Sequence, residues 1–175
     1  QIEKIAKLKK KKIQVGIRLN PNTDAKTLSQ ISTGKKENKF GVNSKTFIKL
    51  INNYKNSKNI DLKCLSVHIG SQILDHKPYE KMLKSIVKIL EKINYRFEFI
   101  DLGGGMGISY DNKQKRLDYK KYQLVIKKFL NKYKSKIIFE PGRSIIGNTG
   151  TLISKIIYIK KSGKKNFIIL DAAMN

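Results

Sequence analysis

One histidine, one serine, three consecutive glycines, one glutamate and one arginine in this 175-residue chain each follow an apolar run. They are His68 and Ser71 in VHIGS, Gly103, Gly104 and Gly105 in DLGGGMG, and Glu140 and Arg143 in FEPGR, with Pro141 and Gly142 between. Consecutive glycine amides can form a nest for an anion. A helix start after the triplet would add its dipole. Ser71 can donate a further hydrogen bond, and Arg143 can fork onto a phosphate or carboxylate. His68 is flat enough to stack on an aromatic ring. Glu140 would keep a pyridine nitrogen protonated, because an opposite charge nearby favours the charged form. The set suits a phosphorylated, protonatable ring, and a protonated pyridine is what a pyridoxal cofactor needs to act as an electron sink.

These residues work together only if the fold collects them. IQVGIRLN (13–20) alternates apolar and polar residues and reads as a strand. LKCLSVHIG (62–70), FEFIDL (97–102) and KIIFE (136–140) read as three more. Between them, 44–55, 78–94 and 118–134 carry apolar residues at helical spacing, and 1–8 puts Ile2, Ile5 and Leu8 on one helical face. Strands alternating with helices predict a parallel sheet with right-handed crossovers. Strand parity is more specific. Ile13, Val15, Ile17 and Leu19 share one face, opposite Gln14, Gly16, Arg18 and Asn20. Leu65, Val67 and Ile69 likewise oppose Cys64, Ser66 and His68. A sheet buried on both faces reads as continuous Val, Ile and Leu. An apolar face toward outer helices and a polar face toward the interior predict the second half of a (β/α)8 barrel, with function at the strands' carboxyl ends. Every candidate residue falls at such an end. After residue 148, 151–161 and 167–174 read as two strands opening a separate β domain, so the expected division is 1–148 and 149–175.

Each motif alone has a plain alternative: three glycines make a turn, a lone histidine is satisfied in a half-buried site, and Glu-Pro-Gly-Arg is a turn. Their recurrence at one end of successive strands carries the reading. Cys64 reads as a core residue, and a single cysteine permits no internal disulfide, so a reducing compartment, the cytoplasm, is expected. Asp75, His76 and Asp111 lack metal-ligand spacing, so no metal is expected. A net charge of +25 invites a nucleic-acid partner. However, 34 of the 38 basic residues are lysine, and only Arg18, Arg96, Arg116 and Arg143 offer the planar fork that phosphate and base readers favour. Most of that charge reads as solvated surface. No apolar run approaches the ~20 residues that span a bilayer.

VGIRLNPNTDAKTLSQISTGKKENKFGV, LSVHIGSQI, IDLGGGMGISY, FEPGRSIIGNTG and NFIILDAAMN together resemble the diaminopimelate decarboxylases. That pyridoxal-phosphate-dependent family has the alanine-racemase-like fold, a barrel followed by a β domain. ISTGKKENKFG and EPGRSIIGNTG distinguish it from the related ornithine and arginine decarboxylases, which share His-x-Gly-Ser and Glu-Pro-Gly-Arg. The resemblance implies that His68 stacks on the cofactor ring and that Ser71 helps hold its phosphate. It implies a phosphate loop at Gly103–Gly105, a Glu140 pair with the pyridine nitrogen, and cofactor contacts from Pro141 and Gly142. Arg143 would touch the cofactor and a substrate carboxylate, and Arg18 would point into the barrel beneath the ring. The implied substrate is meso-diaminopimelate, and the implied assembly a homodimer with shared sites.

The departures bear on completeness. The family's Schiff-base lysine lies in an Ala-x-Lys-Ala-Asn-like stretch, and none of the lysines here does. The family's proton-donating cysteine lies further along the β domain. The chain therefore reads as an internal fragment that holds no catalytic residue of its own and is inactive alone, with unpaired strand edges prone to association. Three readings stay open beside it: a decarboxylase of another basic amino acid or of a carboxyspermidine-type substrate, a basic nucleic-acid-binding protein, and a protein that holds the cofactor without turnover.

Overall fold

The computed structural model describes residues 1–25, 33–34, 39–111 and 116–173. Motif residues 26–32 and 35–38, and Met174 and Asn175 at the end of NFIILDAAMN, lie outside the described residues. The elements are α1 (Ile2–Leu8), β1 (Ile13–Arg18), α2 (Ser44–Tyr54), β2 (Ile60–Ser66), α3 (Lys77–Leu90), β3 (Phe99–Asp101), α4 (Tyr119–Lys132), β4 (Lys136–Ile138), α5 (Arg143–Ile146), β5 (Ile156–Ser162) and β6 (Lys165–Leu170).

Strands β1 to β4 form one parallel sheet in the order β1-β2-β3-β4. Strands that neighbour each other in chain order sweep one way round, as in a barrel; a doubly wound sheet reverses direction at a switch point. Leu65, Val67, Ile69, Ile100 and Leu102 are buried against α2, α3 and α4 in one apolar cluster. The other face carries a row across the sheet, Arg18, Ser66, Asp101 and Ile138, which are partners in register. Val15 pairs with Leu62 and Gly16 with Cys64, so Lys63 is an extra residue on β2. This bulge moves the buried parity from Ile60 and Leu62 to Leu65 and Val67, which is why the alternation expected over 62–70 starts only at Cys64.

The helices have local causes. Asn43 caps α2 by accepting from the Thr46 amide at 2.9 Å, and Asp118 caps α4 by accepting from Lys121 at 3.0 Å. Pro78 sits in the first turn of α3, where its missing N–H costs nothing. Tyr79, Met82, Leu83 and Ile86 then bury the face of α3 that was expected to be apolar. In α1 only Ala6 is buried, and Ile2, Ile5 and Leu8 are exposed. No helix among the described residues is long and apolar enough to cross a membrane.

One expectation needs correction. No helix starts at the glycine triplet. Positive φ at Gly103 and Gly105 (65° and 91°) turns the chain back along Ile73. There, Ile73 donates to the Gly105 carbonyl at 2.9 Å and Gly107 donates to Ile73 at 3.0 Å. Among the described residues, the next helix begins at Tyr119. After Glu140, Pro141 and Gly142 lead into the short helix α5, which the sequence reading did not anticipate. Strands β5 and β6 form an antiparallel hairpin turning at Gly163 and Lys164, with every strand residue exposed.

Phe97 is 1% exposed and packs on Phe47 and Tyr95, with ring centroids 6.0 and 5.1 Å away. Phe97→Ala should cost about 3–5 kcal/mol of stability. Asp118→Ala, which removes only a cap, should cost about 1 kcal/mol. Urea denaturation of the two variants checks the contrast.

Candidate functional site

The ladder continues past the strand ends. Leu19 donates to Ser66 at 2.8 Å, Val67 to Asp101 at 2.8 Å, Leu102 to Ile138 at 3.0 Å and Glu140 to Gly103 at 2.9 Å. Two residues beyond the row Arg18–Ser66–Asp101–Ile138, the same face therefore carries Asn20, His68, Gly103 and Glu140. Register brings His68, the triplet and Glu140 to one edge. By register Glu140 belongs to that face, and its charge acts to raise the pKa of both His68 and Cys64. Pro141 and Gly142 are exposed, and a Cβ at Gly142 would meet open space. Ser71 is half-buried, and its hydroxyl has no hydrogen-bond partner among the described residues.

The triplet is squeezed on three sides. A Cβ on Gly103 would strike the Val67 carbonyl, one on Gly104 the Glu140 carbonyl, and one on Gly105 the Gly70 carbonyl. Two amides are already used: Gly103 donates to Asp101 Oδ1 at 2.8 Å and Gly104 to His68 Nδ1 at 3.2 Å. The amides of Gly105 and Met106 have no partner among the described residues. Those two are the donors the loop can offer to an anion.

Arg143 is oriented by residues that the sequence reading passed over. Its Nη1 donates to Tyr110 Oη at 3.1 Å and reaches Gln72 Oε1 at 3.5 Å, and the guanidinium lies 5.9 Å from the Tyr110 ring centroid. The Gln72 amide in turn grips the backbone of Ile108, donating to its carbonyl at 2.6 Å and accepting from its N–H at 3.2 Å. Asp101 was also missed. It is buried, and accepts from Ser66 Oγ at 3.0 Å as well as from Gly103. Its only signal in sequence is a carboxylate shortly before a glycine run. Arg18 lies on the interior row, 5.0 Å from the Phe40 ring centroid, and reaches the His68 carbonyl at 3.4 Å. Cys64 is half-buried on the same face, opposite Gly16, and burial pushes its thiol pKa up, which makes it a poor nucleophile. Among the described residues no three His, Cys, Asp or Glu side chains converge as a metal site.

Burial, and then the Arg18 charge, push the His68 imidazole below its ordinary 6.5, with Glu140 and Asp101 opposing. It is neutral at pH 7. Its Nδ1 lone pair takes the Gly104 N–H, which leaves the proton on Nε2. A histidine whose folded pKa lies below its unfolded value adds nothing at pH 8. It destabilises the fold as pH falls through 6.5, because the unfolded chain takes up the proton first. The His68 ring resonances should titrate below 6.5 and report the Nε2–H tautomer. Histidine-directed NMR across pH 5–8 checks this, and His68→Gln should flatten the loss of stability between pH 7 and 5.

Similar proteins place this geometry in a family. A diaminopimelate decarboxylase of Aquifex aeolicus is 39% identical over 94% of this chain and 40% of its own length. One of Helicobacter pylori is 41% identical over 99% of this chain and 44% of its own. The crystal structure of the Helicobacter pylori diaminopimelate decarboxylase complexed with L-lysine superposes with a TM-score of 0.82 at 39% identity, covering 97% of this chain and 43% of that one. The chain thus spans about two fifths of the length of the curated relatives it matches. Its parallel sheet is an arc of a barrel, followed by the first strands of a β domain. Residues 1–147 match the family described as pyridoxal-dependent decarboxylase, pyridoxal binding domain, and the chain belongs to that family.

Proposed function

We propose that this chain is the pyridoxal-phosphate-binding portion of a diaminopimelate decarboxylase, which releases CO2 from meso-diaminopimelate to give L-lysine. The observation that carries the reading is the single edge shared by His68, the unpartnered Gly105 and Met106 amides, the Ser71 hydroxyl and the Glu140 carboxylate. That donor set fits the cofactor: amides and a hydroxyl for a phosphate, a flat neutral imidazole for a ring, and a carboxylate for a pyridine nitrogen. Bound there, the cofactor supplies the electron sink for the carbanion left when CO2 departs.

The chain's own residues do the placing. Glu140 would face the pyridine nitrogen and keep it protonated. His68, kept neutral by burial and by Arg18, presents its ring without adding a second positive charge. Gly103, Gly104 and Gly105 let the loop pass between neighbouring strand ends, so that Gly105 N–H and Ser71 Oγ would hold a phosphate. Pro141 and Gly142 leave room at the rim. Arg143, steadied by Tyr110 and Gln72, takes a substrate carboxylate.

The division at 148/149, a homodimer with shared sites, a cytoplasmic location and the absence of a nucleic-acid partner belong to the same reading. Resemblance to relatives of one activity at 39–41% identity supports the substrate. The full-length protein that the gene encodes should release CO2 from meso-diaminopimelate, and not from ornithine, arginine or a carboxyspermidine-type substrate. Turnover on one of those instead would replace the substrate, and steep salt-dependent binding to DNA or RNA would replace the class. The 175-residue chain alone should be inactive. Glu140→Gln should lower kcat by about a hundredfold or more while the cofactor remains bound by absorbance.

A further inference from the structure

Helix α3 delivers a hydroxyl to the underside of the glycine loop. Tyr79 is fully buried, with its ring edge-on to Tyr122 at a centroid distance of 4.7 Å. Its Oη donates to the Gly104 carbonyl at 3.2 Å. Burial pushes the phenol pKa up, so the group remains a donor throughout the working range.

The Gly104 carbonyl and the Gly105 amide belong to one peptide unit. In a trans peptide the C=O and N–H point in opposite directions. Holding the carbonyl toward α3, on the outer face of the sheet, therefore aims the Gly105 N–H toward the interior edge, where Ser71 and His68 stand. Gly105 has φ of +91° and lies between Gly104 and Met106, so no side chain on the loop selects this peptide orientation. Among the described residues, the side chain bonded to this peptide unit is Tyr79. The Gly105 N–H so aimed is one of the two loop amides without a partner among the described residues.

We propose that Tyr79 is a positioning residue for a phosphate ester: its hydroxyl presets the Gly104–Gly105 peptide so that the Gly105 amide stands ready as an anion donor. The proposal rests on the reading of this edge as a phosphate site. It goes beyond that reading by assigning the orientation of the donor to a helix residue that never touches the ligand.

Tyr79→Phe keeps the ring and removes only the donor. Binding of pyridoxal 5'-phosphate and of phosphate-free pyridoxal is measured by absorbance in the full-length protein that the gene encodes. The variant should bind the phosphate form about three- to tenfold more weakly, as expected for one lost hydrogen bond, and bind pyridoxal unchanged. Equal weakening of both ligands, or of neither, would overturn the role of Tyr79 while leaving the wild-type preference for phosphate in place. A wild type that binds the two equally would overturn the phosphate reading and this proposal with it. Should the variant not fold, glycine-labelled wild-type protein titrated with inorganic phosphate decides the matter. A Gly105 amide shift larger than those of Gly103 and Gly104 supports the proposal, and an unmoved Gly105 amide overturns it.

Discussion

The extensions of two strands, β2 and β4, approach the backbone of Gly103–Gly105 so closely that no side chain fits at any of its positions. That approach is the constraint on which the rest of the edge depends. The Gly103 and Gly104 amides reach Asp101 and His68 only because the loop lies flat against the extensions of β2 and β4. Glycine's access to positive φ lets the chain turn back toward Ile73 immediately afterwards. A side chain at any of the three would displace the Val67, Glu140 or Gly70 backbone and disperse the residues that the register has gathered.

Electrostatics at this edge depend on burial as much as on charge. Asp101 is a buried carboxylate whose oxygens are taken up by Gly103 N–H and Ser66 Oγ, so it serves the loop rather than the ligand. Glu140 on the same face is exposed and available. The charges of both acids and of Arg18 act on His68, and burial decides its protonation against the pull of the two acids. The separation of roles resembles other sites where two carboxylates are distinguished by environment rather than by type.

The opposite end of the sheet is built differently. Lys63 pairs with Glu98 at 2.8 Å and Lys136 with Glu98 at 3.4 Å, and Tyr95 Oη donates to the Leu62 carbonyl at 2.7 Å. These are exposed or half-exposed ties between strands, each worth little singly. Stability at the amino end and function at the carboxyl end is the usual division of a barrel. The apolar residues Phe139, Ile145 and Ile146 and the whole of the hairpin β5–β6 are exposed.

The strand and helix order, the inward and outward parity of β1 and the candidate residues were all legible in the sequence, because side-chain periods of 2 and 3.6 are written directly in residue order. His68, Ser71, the triplet, Glu140 and Arg143 could be named because each follows an apolar run. The bulge at Lys63 was not legible: it depends on how β2 registers against β1, and both candidate registers bury apolar residues. The absence of a helix after the triplet depends on its pairing with Ile73, a contact between segments distant in sequence. Asp101, Gln72, Tyr110 and Tyr79 acquire their parts only through partners brought from other elements. The sequence by itself determined which residues are candidates for the chemistry and at which end of the sheet they lie. Only the tertiary structure decided which amides are left free and which side chains hold the others in place, because hydrogen-bond satisfaction is a property of neighbours in space.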